Sequence, residues 1–207
     1  SGSTTRVVTT QLDAKQRPST ITATIGADTL TSTTTYTGAT NAVASISNGT
    51  VTESMTYDTW GRERMRTGSS GNVAVTRYDT AGRVATFHDG KGQYAYTYDG
   101  TDALGKTERR GLITAVDTGY TNGSDDVITA AYNHDGNPIR EDYPGGYTAA
   151  TTYDMNGNTT GLNYSRTSGN TTTTLIGFTQ THDQNGRVRS IAGSTGTATY
   201  SYDPRDR

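Results

Sequence analysis

The hexapeptide Tyr57-Asp-Thr-Trp-Gly-Arg62 returns 21 residues later as Tyr78-Asp-Thr-Ala-Gly-Arg83. Aligned on the opening pair, weaker copies begin at Leu12-Asp13, Tyr36-Thr37, Tyr98-Asp99, Tyr132-Asn133, Tyr153-Asp154, His182-Asp183 and Tyr202-Asp203. The nine starts are separated by 24, 21, 21, 20, 34, 21, 29 and 20 residues, and seven of the 14 tyrosines stand at the first repeat position. This period constrains the fold more than the length does. A unit of about 20 residues is too small to bury a core of its own, so it must lean on its neighbours. Residues 1–207 therefore read as one repeat segment, about eight units and a truncated one, with an insertion around residues 99–131. Because the last copy runs off the end, the chain is read as a fragment of a longer one.

The recurring residues are those a tight turn needs. An Asp ahead of the turn accepts backbone N–H groups, and a Gly at the fourth position tolerates φ > 0. Asp58 with Gly61, Asp79 with Gly82, Asp154 with Gly157 and Asp183 with Gly186 fit a type I turn followed by a left-handed residue, a frequent bulged hairpin connection. Tyr57 and Arg62 then flank the turn on opposite strands, with the guanidinium expected over the ring. Alternating segments follow Arg83 and Arg187 and precede Tyr98 and Tyr202, as strands do. Pro144-Gly145 suits the centre of a type II turn. The 34-residue interval after Tyr98 predicts an excursion from the regular pattern.

Composition agrees with an all-β chain. Apolar residues make up 30%, strong helix formers are scarce, and Thr, Tyr, Val and Ile suit a pleated, half-exposed surface. Alternation predicts one packed and one wet face, and so little apolar mass predicts a single sheet braced by tyrosines. A twisted sheet of many hairpins tends to coil on itself and enclose space. The net charge of −2 gives no stripe for nucleic acid. Without cysteine there is no disulfide, thiolate metal site or Cys nucleophile. No apolar run is long enough to span a membrane, and the first residues lack the character of a signal peptide.

Tyr-Asp-x-x-Gly-Arg at this spacing resembles the YD repeat of the Rhs family, whose relatives include the teneurin shell, the wall-associated proteins of Gram-positive bacteria and the cocoon components of insecticidal toxin complexes. The resemblance spans essentially the whole chain. The stretches from Tyr98 to Leu112 and from Tyr143 to Tyr147 are similar to bacterial, particularly actinobacterial, members. It implies a spirally wound single β-sheet of YD-repeat hairpins, a segment of an Rhs-type shell or cocoon. It also implies a secreted or cell-surface bacterial protein, whose partners are the remainder of the shell and an enclosed, unfolded or inactive C-terminal toxin domain. The self-cleaving aspartyl site of several members is not carried over, because Asp203-Pro204 continues as Arg-Asp-Arg without the expected Pro-Gly context.

No catalytic, cofactor-binding or metal-binding residue is assigned, and the chain is read as a non-enzyme without cofactor. The structural repeat residues are Tyr57, Asp58, Gly61, Arg62, Tyr78, Asp79, Gly82, Arg83, Tyr98, Asp99, Tyr132, Tyr153, Asp154, Gly157, Asp183, Gly186 and Arg187. His88, His134 and His182 each precede an aspartate, yet they fall at different phases of the repeat and read as turn-flanking rather than as ligands. Asp99, Asp102, Asp125 and Asp126 miss the spacing of a calcium loop. Exposed tyrosines, Trp60 and polar loop tips keep open a second reading, a surface adhesion or carbohydrate-binding module with cell-surface glycans as partners. Unpaired strand edges keep open a third, a structural filament.

Overall fold

The structure, a computed structural model, describes residues 5–38, 40–119 and 126–203. Asp125 and the Pro204–Arg207 tail lie outside these residues. The chain is all-β, with seventeen antiparallel strands among the described residues and one 3-10 turn at Pro144–Gly146. It divides into two compact units, Ser1–Gln93 and Tyr94–Arg207.

The first unit holds β1 (Arg6–Leu12), β2 (Pro18–Ile25), β3 (Asp28–Tyr36), β4 (Val43–Ser47), β5 (Thr52–Tyr57), β6 (Glu63–Gly68), β7 (Val73–Tyr78) and β8 (Val84–His88). Each strand pairs with the next in chain order. The second unit is a meander of the same kind. Its strands are β9 (Gln93–Thr101), β10 (Thr107–Asp117), β11 (Val127–Tyr132), β12 (Pro138–Tyr143), β13 (Tyr147–Tyr153), β14 (Thr159–Ser168), β15 (Thr171–His182), β16 (Val188–Gly193) and β17 (Gly196–Thr199). Between β12 and β13, Gly145 takes φ 77° and ψ 14°, the third-residue geometry of a type II turn.

Seven of the nine repeat starts carry the same irregularity. The ladder register shifts immediately before Leu12, Tyr36, Tyr57, Tyr78, Tyr132, Tyr153 and His182. Thr56 faces Met65 while Tyr57 faces Glu63, so Arg64 is the extra residue of a bulge. Such bulges bend the strand and re-aim the side chain beside them.

Within the first unit the pleat alternates side chains between two faces. Thr9, Thr22 and Thr31 form one cross-strand row and Thr20 and Thr33 another, whereas Val8, Ala23 and Leu30 form a row on the opposite face. Thr22 and Thr31 hydroxyls stand 3.5 Å apart, and those of Thr35 and Ser45 2.7 Å apart. One face is therefore rich in hydroxyls, with Val7 and Gln11 among them. The expectation that the other face is packed does not hold here: Val8 is 51% and Leu30 71% exposed. No second layer covers β1–β3 among the described residues, so the aliphatic side chains stay open.

Burial is sparse throughout. Only Met55, Glu108, Thr114, Ala131, Ala149 and Gly161 are buried among the described residues. The accessible surface is 14170 Å², where a compact chain of 22.0 kDa exposes roughly 9,300 Å². With so little apolar burial, cohesion rests on the ladders and on the polar seams between repeats.

Candidate functional site: the seam between repeats

Asp58 organises its turn alone. The Asp58 N–H donates to Arg62 O at 2.9 Å, and the Gly61 N–H to Asp58 O at 3.0 Å. Asp58 Oδ1 accepts the N–H groups of Trp60 at 2.9 Å and Arg62 at 3.0 Å. Its other oxygen takes the Arg62 guanidinium, with both Nε and Nη2 at 2.7 Å. Gly61 sits at φ +80°, the left-handed region that closes the turn. The same pattern recurs at Asp79–Arg83, with 2.8 Å from Arg83 Nε to Asp79 Oδ2, and at Asp183–Arg187, with 2.7 Å from Arg187 Nε to Asp183 Oδ2. In the degenerate first copy Asp13 and Arg17 do likewise, with Gln16 at φ +62° in the glycine's place.

The guanidinium then reaches forward rather than back. Arg62 lies 4.0 Å from the centroid of Tyr78, the tyrosine of the next repeat, and not over Tyr57. Arg17 covers Tyr36 at 4.2 Å and Arg187 covers Tyr202 at 4.8 Å. The expected Tyr57–Arg62 stack within one repeat is thus replaced by stacks between repeats. The turn carries Arg62 past its own tyrosine, and the following hairpin lays the next ring under it.

Six of the seven repeat tyrosines also anchor by the hydroxyl, again across the seam. Tyr36 donates to Pro18 O at 2.7 Å, Tyr78 to Glu63 O at 2.9 Å, Tyr132 to Ile113 O at 2.7 Å, Tyr153 to Pro138 O at 3.0 Å and Tyr202 to Val188 O at 2.7 Å. All five acceptors lie two residues beyond the left-handed residue of the preceding repeat, at Gln16, Gly61, Gly111, Gly136 and Gly186. Tyr57 reaches Val43 O at 2.8 Å in the less regular second copy. Tyr98 stands in β9 opposite Ile113.

Two of the copies that depart from the pattern are compensated. After Asp154 the arginine is replaced by Asn158, whose amide donates to Asp154 Oδ2 at 3.0 Å, while Gly157 keeps φ +82°. The next repeat starts with His182, 7% exposed, its Nδ1 4.0 Å from Asp154 Oδ2. The orphaned backbone acceptor, Thr159 O, is taken by Gln180 Nε2 at 2.6 Å. In the fifth copy the tight turn is at Asp102–Lys106, where Asp102 Oδ1 accepts Leu104 and Lys106 N–H groups. Asp99, expected to open that turn, lies inside β9 at φ +63° and accepts the Gly111 N–H at 2.6 Å. Residues 109–112 step out of the β9–β10 ladder. There Glu108, 6% exposed, takes the aspartate's part, accepting the N–H groups of Arg109 and Arg110 and pairing with the Arg110 guanidinium at 2.5 Å. Arg110 continues to Asn133 O at 2.7 Å and His134 O at 2.8 Å in the next turn. Much of the predicted excursion is thus strand and a short loop; residues 120–125 lie outside the described ones.

The seam's electrostatics follow its bonds. The Arg83 side chain and backbone N–H beside Asp79 hold its carboxyl below the usual range, as Arg17 does for Asp13. At Asp58 and Asp183 partial burial pushes upward, but backbone N–H groups and the guanidinium outweigh it. Arg110 lowers Glu108 to about 2. Arg66, bonded to Glu63 and Glu53, is held in its charged form.

The three histidines take three different places. His88 Nδ1 accepts the Gly90 N–H at 3.0 Å, His134 is fully exposed and the His182 side chain is lodged against Asp154 in the seam. Among the described residues no three His, Asp or Glu side chains gather as metal ligands, and no helix is long and apolar enough to cross a membrane. Gln180, Asn158, Glu108 and Arg110 were missed from the sequence because they stand outside the repeat's fixed offsets; only the breaks in the motif marked the neighbourhood.

No protein-family model matches the chain, and no curated protein sequence matches it. Solved structures do. TcdB2-TccC3 without its hypervariable C-terminal region superposes at a TM-score of 0.75 with 13% identity, over 96% of this chain and 11% of that one. TcdB2-TccC3-TEV gives 0.76 and 14% identity over 96% and 11%. A Photorhabdus luminescens Tc holotoxin pore gives 0.73 and 12% over 98% and 11%. The chain thus has an Rhs-like repeat fold and spans about a tenth of the length of the chains it matches.

Proposed function

We propose that the chain is a wall segment of an Rhs-type polymorphic toxin, a secreted bacterial shell that encloses a C-terminal toxin polypeptide until delivery. The observation that carries this reading is the seam: each repeat is locked to the next by a tyrosine, an arginine–aspartate pair or their substitutes, while almost nothing is buried. Such a one-layer construction can be extended repeat by repeat but builds no core, which suits a wall and not a catalytic domain. The likeness to toxin-complex chains, one of them solved without a hypervariable C-terminal region, supports the same reading. In this role the chain is not an enzyme. Its partners are the remainder of its own shell and the enclosed polypeptide, which the wall shields from proteolysis and premature folding.

Limited proteolysis of the full-length polypeptide tests this. The C-terminal segment is expected to resist protease in the intact particle and to be cut once the seams are broken by acid or denaturant. Equal cleavage of that segment before and after disruption would remove the container reading.

A further inference from the structure

The turn that follows β8 folds against the start of β7 and leaves a cleft between them. Gly90, at φ +89°, comes so near that an added Cβ would stand 3.3 Å from Val73 O. The cleft measures ≈ 410 Å³ and lies within the first unit. Val73, Val75 and Arg77 alternate onto one face of β7 to line it, and His88 stands opposite Val75 on β8. Asn72 and Gln93 complete the lining. Its charge is uncompensated. Arg17, Arg62, Arg83 and Arg187 are each held by the aspartate of their own turn. Arg77 is exposed on β7, and its guanidinium has no hydrogen bond or ion pair among the described residues. The neighbouring Asp89 stays with its own turn, where Oδ1 accepts the Lys91 and Gly92 N–H groups, both at 2.8 Å.

We infer that this cleft binds the C-terminal carboxylate of a peptide ending in a small aliphatic residue such as valine. Arg77 supplies a planar fork of donors suited to a carboxylate. His88 supplies a second donor: its Nδ1 accepts the Gly90 N–H at 3.0 Å, so the proton of the neutral ring sits on Nε2. A phosphate fits less well. Its further oxygens need more donors, and the backbone N–H groups of Gly90, Lys91 and Gly92 are already spent on His88 and Asp89. The half-buried Val73 and Val75 give the last side chain an apolar bed. The amides of Asn72 and Gln93 match the peptide group ahead of the carboxylate, which a free short-chain acid lacks. The volume suits the last residue or two of a chain and not a folded partner. Because Gly90 fixes the His88 ring and the turn already lies against β7, little ordering is needed on binding.

The site belongs to the first unit and does not rest on the shell reading. Saturation-transfer NMR of the full-length polypeptide with N-acetyl-Ala-Ala-Val tests it. A saturable signal on the valine methyls is expected, with a Kd on the order of 1 mM. The same peptide as its C-terminal amide should bind about tenfold more weakly, as should 3-methylbutanoate, which keeps the carboxylate and the branched tail but no peptide group. Arg77→Gln should weaken the free-acid peptide by about tenfold with circular dichroism unchanged, because the side chain is exposed. Lys91→Gln, which removes a charge from the same turn, should leave binding as it was. No saturable signal, equal binding of acid and amide, or undiminished binding in Arg77→Gln would overturn the site. Equal binding of 3-methylbutanoate, displacement of the peptide by an equal concentration of inorganic phosphate, or an equal loss in Lys91→Gln would overturn the peptide-terminus assignment.

Discussion

At Gly82 the backbone stands at φ +86°, and an added Cβ would lie 3.2 Å from Arg62 Nη1. Gly82→Val therefore meets two obstacles, a left-handed backbone that β-branched residues avoid and the guanidinium of the seam. A loss of about 1–2 kcal/mol is expected in denaturant unfolding. The converse test is Gln16, already left-handed at φ +62° without being glycine. Gln16→Gly should stabilise the chain by about 1 kcal/mol, read as a higher midpoint, because the strain of the side chain is released. The turn residues were legible in the sequence since their chemistry is local: Asp58, Gly61 and Arg62 act within five positions of one another. Gln16 was not, because its conformation is imposed by Asp13 and Arg17 on either side.

At the scale of the element, the hairpin's arginine belongs to the next hairpin's tyrosine. A double-mutant cycle between Arg62→Ala and Tyr78→Ala should give a coupling of about 0.5–1 kcal/mol. The cycle between Arg62→Ala and Tyr57→Ala should give a coupling within error of zero. Tyr78→Phe alone should cost about 1 kcal/mol, since it leaves Glu63 O without its donor. The sequence offsets pointed to Tyr57 because they show which residues flank a turn, not which ring the following strand delivers. The bulge before Tyr57 and Tyr78 decides that, and bulges come from pairing register rather than from either strand's own residues. The Asn158–His182–Gln180 substitution shows the same limit. Asn158 lies 22 and 24 residues from Gln180 and His182, and only the seam makes them one unit.

Over the whole molecule, the seams carry a common pH signature. The carboxylates of Asp13, Asp79 and Glu108 are held below their ordinary values by arginine partners, Glu108 at about 2. A depressed folded-state value means that their contribution is complete above the unfolded values, 3.8 for Asp and 4.5 for Glu. It is lost as pH falls through the folded values. The melting temperature should be nearly flat from neutrality down to that range and then drop steeply toward pH 2, with a shallower drop in Glu108→Gln. The all-β meander and its single layer were legible from period and composition. The open aliphatic face of β1–β3 was not, because alternation predicts two faces without saying whether anything covers either. Electron microscopy of the full-length polypeptide bears most directly on the wall assignment. A closed hollow particle with internal density, this chain forming a strip of its one-layer wall, is the predicted result; an open rod or flat sheet with nothing enclosed would contradict it.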